Sequence, residues 1–165
     1  TCSTKSGGAE VPSSGGTGVE TPQPSTPEIA CLEHDFKKIN FRPSVRCSIT
    51  WFLSWSPCGK CCQRIVEFLR AYPSVTLKIK AAWLFRHMDE HIRQGLRDLM
   101  ENGVALYIMN LLDYRYCWRT FVAHRDEEED DYCPLLCSLW IIFDCLELQR
   151  VLWGLPSLLA RHAHP

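Results

Sequence analysis

The order of periodic segments predicts an α/β layered domain, a mixed or parallel sheet flanked by helices. Two observations carry this expectation. Strand-like stretches alternate along the chain with helices long enough to serve as crossovers, which parallel strands require. The first strand candidate, Ile49–Trp55, is apolar on both faces, as a central buried strand should be. At 165 residues the chain has the length of one domain, and 46% apolar residues with six Trp suffice for a core.

Residues 1–27 are mostly Thr, Ser, Gly and Pro. Such a tract buries too little surface to offset its ordering entropy, so it is expected to be disordered. The chain begins with Thr, which suggests a fragment or an imperfect gene model at its start. Ile29–Ile39 reads as a helix carrying Cys31 and Glu33 in its first turns. After Ile49–Trp55 the chain turns at Pro57 into an amphipathic helix with Cys61, Ile65, Phe68 and Leu69 at i, i+4, i+7 and i+8. Val75–Phe85 alternates, with Val75, Leu77 and Ile79 inward and Thr76, Lys78 and Lys80 outward. Met88–Glu101 is a helix with Ile92, Leu96, Leu99 and Met100 in one stripe, and Gly103 is its stop. Val104–Met109 is the third strand. Tyr114–Val122 is helical through Tyr114, Trp118, Phe121 and Val122. The acidic run 126–131 makes a loop, and Pro134–Leu152 a long apolar helix. The domain is therefore drawn over residues 28–155, with 156–165 a short tail. No internal repeat is visible.

From Cys31 to Arg119 there are 14 Lys/Arg against 8 Asp/Glu, an excess that the acidic run then cancels. A moderately basic body is compatible with a polyanionic substrate, as are many solvated surfaces. Ten cysteines would suggest disulfides in a short secreted chain. The first 30 residues lack the apolar core of a signal peptide, however. Cys117, Cys137 and Cys145 sit in apolar contexts and read as reduced core residues. The compartment is read as reducing, cytoplasmic or nuclear. No stretch of about 18 or more apolar residues occurs, so no membrane span is expected.

The chemistry centres on Ser54-Trp55-Ser56-Pro57-Cys58-Gly59-Lys60-Cys61. Two thiols at i, i+3 on a first helical turn can converge on one ion, and the helix N-terminus favours their thiolates. A catalytic zinc wants three protein ligands, an open position and a carboxylate to move protons. Cys31-Leu32-Glu33 is the one good candidate for a ligand two residues before a Glu. Alternatives stay open. Cys58 and Cys61 could form a structural zinc knuckle or a redox pair, Cys31 could be an unliganded core cysteine, and Glu33 a solvated helix residue. Cys62 competes with Cys61, although position favours Cys61. His34 rivals Cys31 but has Phe36, not an acid, two residues on. His87 and His91 lack the metalloprotease arrangement and read as surface residues.

At Ser-Trp-Ser-Pro-Cys-x-x-Cys preceded by a ligand-x-Glu, the chain resembles the AID/APOBEC family of zinc-dependent polynucleotide cytidine deaminases. Trp51-Phe52-Leu53, Trp83–Asp89, Arg93–Leu99 and Tyr116-Cys117-Trp118-Arg119 extend the likeness, towards the mRNA-editing branch, over roughly residues 29–155. The resemblance implies a cytidine-deaminase-like fold with one zinc per chain on Cys31, Cys58 and Cys61. It makes Glu33 the catalytic acid–base, with water attacking C4 of cytosine to leave uracil and ammonia. It makes Trp55 the pocket aromatic, has Ser56 lend backbone contacts, and assigns Tyr114, Arg115 and Tyr116 to a loop meeting the target and preceding nucleotide. The Trp and Tyr assignments stand beside simple burial of Trp55 and packing of Tyr114 and Tyr116 at a helix start. The implied substrate is single-stranded RNA or DNA, with an RNA-binding cofactor protein as a further partner. Three departures define the alternative, a catalytically inactive zinc-containing relic that binds RNA or a partner. Cys31 stands in place of His; the low-complexity tract replaces the family's first helix and hairpin, leaving three strands and an open edge; and the longer C-terminal tail is largely absent.

Overall fold

A computed structural model describes residues 2–5, 45–122 and 137–162. Strand β1 (Cys2–Lys5) is followed by β2 (Cys47–Trp55), helix α1 (Gly59–Ala71), β3 (Val75–Trp83) and α2 (Glu90–Glu101). Then come β4 (Ala105–Ile108), α3 (Leu111–Phe121), α4 (Ser138–Leu152) and a 3-10 turn at Leu158–His162. All strand pairs are parallel, and the sheet order is β1-β2-β3-β4. Of the expected mixed or parallel sheet, the described strands are therefore the parallel kind. The tract expected to be wholly disordered contributes β1, which runs along β2 with Cys2 opposite Ile49 and Lys5 opposite Phe52. Main-chain hydrogen bonds need no apolar side chain, so a Ser/Thr segment can pair an exposed strand edge. The edge of β2 expected to be open is covered over these four residues. The predicted helix 29–39, with Cys31, Glu33 and His34, lies outside the described residues, as do the acidic run and residues 134–136.

The sheet has one buried face among the described residues. Ile49, Trp51 and Leu53 of β2 are buried, whereas Phe52 and Thr50 between them are half-buried and Ser54 is exposed. The expectation that β2 is buried on both faces is corrected in this respect: its outward residues are covered only in part, Phe52 by Tyr116 and Phe121 of α3. β3 alternates as predicted, with Val75, Leu77 and Ile79 buried and Thr76 and Lys78 exposed. It ends at Trp83 rather than Phe85 because the chain turns away through Arg86, whose φ is +43°. On the buried face Ile65 and Val66 of α1 meet Leu96 and Leu99 of α2, with Val151 of α4 closing the cluster. Each such side chain contributes about 1.5–3 kcal/mol when fully buried.

Helix starts follow caps more than apolar stripes. Asp89 caps α2 by accepting from the His91 N–H, so α2 begins two residues after Met88. Ile92, Leu96 and Leu99 form the expected buried stripe, but Met100 is exposed at its margin. Gly103, at φ +85°, ends the turn after α2 as predicted. A reciprocal capping box between Asn110 and Asp113 starts α3 three residues before Tyr114.

α4 reverses the usual pattern of an amphipathic helix. Its buried residues include Asp144 and Glu147, whereas Leu139, Trp140, Ile142 and Leu146 are exposed. The inward carboxylates meet backbone amides: Asp144 Oδ2 accepts from Leu84 N at 3.3 Å and Glu147 Oε1 from Leu158 N at 2.5 Å. Burial pushes the Asp144 carboxyl above its ordinary range, and Glu147 adds to this; the Leu84 amide and His87 oppose it. A raised folded-state value favours the protonated form in the fold. Stability from this group is therefore greatest at low pH and falls as pH rises from the unfolded carboxylate range through the folded value. Asp144→Asn, which keeps an acceptor for Leu84 N, should raise Tm at pH 7, with the gain shrinking towards pH 3. An equal Tm change at both pH values would contradict this. No helix among the described residues is long and apolar enough to cross a membrane.

Candidate metal centre and its surroundings

The candidate site lies where β2 runs into α1, beyond the carboxyl end of a parallel strand, the usual place for ligands in such sheets. Pro57 is buried and Cys58 is the N-cap of α1, with extended backbone at φ −74°, ψ 169°. Its thiol makes no capping bond, and is left to face the turn. Cys58 Sγ and Cys61 Sγ are 3.2 Å apart. Two sulfurs on a tetrahedral zinc, with Zn–S about 2.3 Å, lie roughly 3.8 Å apart. The pair therefore fits a metal after a small opening of the thiol rotors. No acidic side chain occupies the first turn of α1, so the helix N-terminus keeps its preference for negative charge.

Cys62 is distinguished from Cys61 by its surroundings. Its thiol turns back to Pro57 O at 3.7 Å, and its side chain packs against α2 at Gly95. Burial pushes the Cys62 thiol far up, with Cys61, Cys58 and Asp98 adding to the effect. It remains a protonated donor, and Cys61 is the member of the adjacent pair that faces Cys58. Among the described residues no three His, Cys, Asp or Glu side chains converge on one point. The structure thus brings together Cys58 and Cys61, while the remaining predicted ligand, Cys31, and the predicted acid–base, Glu33, lie outside the described residues.

Trp55, paired in register with Trp83, is 53% exposed, and the two rings lie 6.4 Å apart at 38°. Simple burial does not describe it; the ring is a half-open apolar surface beside the cysteine turn. Ser56 is buried. Its N–H donates to Trp83 O at 2.8 Å and its Oγ accepts from Phe85 N at 2.9 Å. The Ser56 amide is thus committed within the protein, leaving only its carbonyl for the expected backbone contact. Ser56 also ties the β3–α2 loop to the cysteine turn, and Asp144 holds the adjacent Leu84 amide.

Tyr114, Arg115 and Tyr116, helical by periodicity and assigned to a loop by the resemblance, lie within helix α3. The early capping box is the cause. Tyr114 donates to Ala82 O at 3.3 Å, and Tyr116 packs on Phe52 with centroids 5.4 Å apart. Arg115 is half-buried. Both tyrosines pack in the first turns of α3, and Tyr116 keeps 43% exposure. A cavity of about 380 Å³ lies under α3, lined by Phe52, Ser54, Ala82, Tyr114, Trp118 and Phe121 among others. Sequence reasoning missed the Ser56–Phe85 bond, the Asp144–Leu84 bond and the Gly95–Cys62 contact. Two acids at i, i+3 inside an apolar helix were the available signal for α4; the glycine contact carries none in sequence.

Residues 19–124 match the family described as APOBEC4-like AID/APOBEC deaminase. The C->U-editing enzyme APOBEC-1 of Homo sapiens is 49% identical over 132 residues, covering 80% of this chain and 56% of that protein. APOBEC-1 of Monodelphis domestica is 48% identical over 132 residues, again 80% of this chain and 56% of its own length. The DNA dC->dU-editing enzyme APOBEC-3Ca of Felis catus is 44% identical over 78 residues, 47% of this chain and 41% of that protein. The chain therefore spans little more than half the length of the APOBEC-1 relatives it matches.

Proposed function

The chain belongs to the AID/APOBEC deaminase family, and from that premise we propose that it deaminates cytidine to uridine in single-stranded RNA or DNA. The observation that carries the reading is the convergence of Cys58 and Cys61 Sγ, 3.2 Å apart, at the first turn of α1. The family is generally zinc-dependent, and in this chain Cys58, Cys61 and Cys31 would hold one ion. Zinc there supplies Lewis-acid activation of a water at neutral pH. Glu33 would take one proton from the attacking water and deliver it to the cytosine ring, then carry the second, from the hydroxyl added at C4, to the departing amine, so that cytosine and water yield uracil and ammonia. Trp55 offers its exposed face to the extruded base, a contact worth about 1–3 kcal/mol. RNA is the favoured substrate because the relatives matched over 80% of this chain carry the name C->U-editing enzyme. An RNA-binding cofactor protein and a cytoplasmic or nuclear location complete the proposal.

The test is a cytosine-to-uracil assay on matched RNA and DNA oligonucleotides before and after chelation. The expected result is one zinc per chain, activity on a single-stranded polymer, loss on chelation and return with added zinc. Zinc without activity on either polymer would support the inactive relic instead. Activity indifferent to chelation would overturn the metal assignment.

A further inference from the structure

The first turn of α1 is seated against α2 at a point where neither helix has a side chain to spare. A Cβ added at Gly95 would lie 3.1 Å from Cys62 Cβ, 3.2 Å from Cys62 Sγ and 3.3 Å from Gly59 Cα. Carbon–carbon contacts settle at about 3.5–4.0 Å, so all three are too close. Glycine serves here for close approach of two backbones, not for an unusual φ. Gly59 Cα is main chain and cannot swing aside. Cys62 is 1% exposed, so its side chain cannot swing out into solvent without the helices parting. The neighbouring contact differs: a Cβ at Gly59 would meet the ring of His91 at 2.5 Å, but His91 is exposed and its ring can rotate away.

Cys62 is also joined to the metal turn by three routes. It follows Cys61 directly, its backbone N–H donates to Cys58 O at 2.9 Å, and its thiol reaches Pro57 O at 3.7 Å. A push on the Cys62 side chain is therefore transmitted to Pro57, Cys58 and Cys61. Gly59 lies between the two sulfur-bearing residues and receives the same push on its Cα.

We propose that Gly95 is a positioning residue for the zinc thiolates: through Cys62 and Gly59 it sets the seat of the turn that holds Cys58 Sγ and Cys61 Sγ at converging distance. This rests on the zinc reading above. A ligand constellation tolerates about 0.5 Å of displacement, comparable with the shift an added methyl demands here. Changes just outside a ligand set typically cost 10–100-fold in metal affinity.

The experiment uses the full chain, with zinc affinity read by chelator competition and sulfur geometry by the thiolate-to-metal charge-transfer band after Co2+ substitution. Gly95→Ala is expected to bind zinc about 10–100-fold more weakly than wild type and to alter the Co2+ band. Cys62→Ala in the Gly95→Ala background, which removes the sulfur from the crowded contact, should recover part of the loss. Val75→Ala serves as the control. Val75 is buried at the opposite end of the sheet, paired with Cys47 where Trp55 pairs with Trp83, so its loss destabilises the fold far from the turn. It should lower Tm and leave affinity and spectrum unchanged. Should Gly95→Ala fail to fold, Cys62→Val applies the same pressure from the other helix, with the same expected weakening. Wild-type affinity and an unchanged Co2+ band in the Gly95→Ala or Cys62→Val protein would overturn the inference while leaving the zinc site intact. A wild-type chain that binds neither metal would instead remove the zinc reading, and this inference with it.

Discussion

Cys61→Ser is expected to purify without zinc and without deaminase activity, whereas Cys62→Ser keeps one zinc per chain. The two residues are adjacent and equally buried, and sequence position favours Cys61. Their surroundings separate them well. Cys61 Sγ faces Cys58 Sγ at 3.2 Å, while Cys62 Sγ faces the Pro57 carbonyl and α2. A metal ligand must give up its proton, and burial together with the neighbouring cysteines holds the proton on Cys62. Removing a thiolate from a three-residue ligand set leaves two, too few for a closed protein cradle around a catalytic zinc. Serine at position 62 keeps a hydrogen-bond donor towards Pro57 O but shortens the side chain, so zinc should be held about tenfold more weakly at most. Metal analysis after gel filtration reads the outcome directly. Zinc retained in the Cys61→Ser protein and lost in the Cys62→Ser protein would exchange the two roles.

Glu33→Ala should show the opposite division, with zinc retained and turnover reduced by about 10²–10⁴-fold, the usual contribution of a positioned general acid–base. The side chain is not a proposed ligand, so metal content is the internal control for folding. The reaction needs a group that both accepts a proton from water and delivers it to the base; alanine can do neither. The measurement is single-turnover conversion of cytosine to uracil on an oligonucleotide, with zinc per chain determined on the same preparation. If Glu33→Ala deaminates at the wild-type rate, Glu33 is a solvated helix residue and another acid must carry the protons. If the wild type is itself inactive and Glu33→Ala changes no measurable property, the centre is a structural zinc module.

The pairing of Cys58 with Cys61 was legible in the sequence, because an i, i+3 spacing on a first helical turn leaves little freedom in where the sulfurs point. The ligand-x-Glu spacing pointed to Cys31 and Glu33 and the resemblance assigned their roles, and both stand outside the described residues. Position already favoured Cys61 over Cys62; the structure adds the reason Cys62 stands apart, since its thiol is enclosed against the neighbouring α2.

Much the same division runs through the fold. Periodicity placed β2, β3, β4 and the four described helices, because alternation and 3.6-residue stripes are local consequences of burying one face. It also led towards the Val75–Ile79 pattern and the stop at Gly103, both of which the structure reproduces. It did not reach β1, because main-chain pairing to the edge of β2 leaves no mark in side-chain hydrophobicity. It started α3 at Tyr114, three residues late, because the Asn110–Asp113 box lies ahead of the apolar stripe; the loop for Tyr114, Arg115 and Tyr116 came from the resemblance alone. It read α4 as an apolar helix without saying which side turns inward. The tertiary structure decided that, burying Asp144 and Glu147 because unpaired amides of Leu84 and Leu158 lie beneath them. By itself the sequence determined the chemistry available at the start of α1 and the α/β class of its surroundings. Only the packing of α1 on α2 decided that Cys62 is enclosed beside the Cys58–Cys61 pair, because glycine at 95 lets the two helices approach closely at this point.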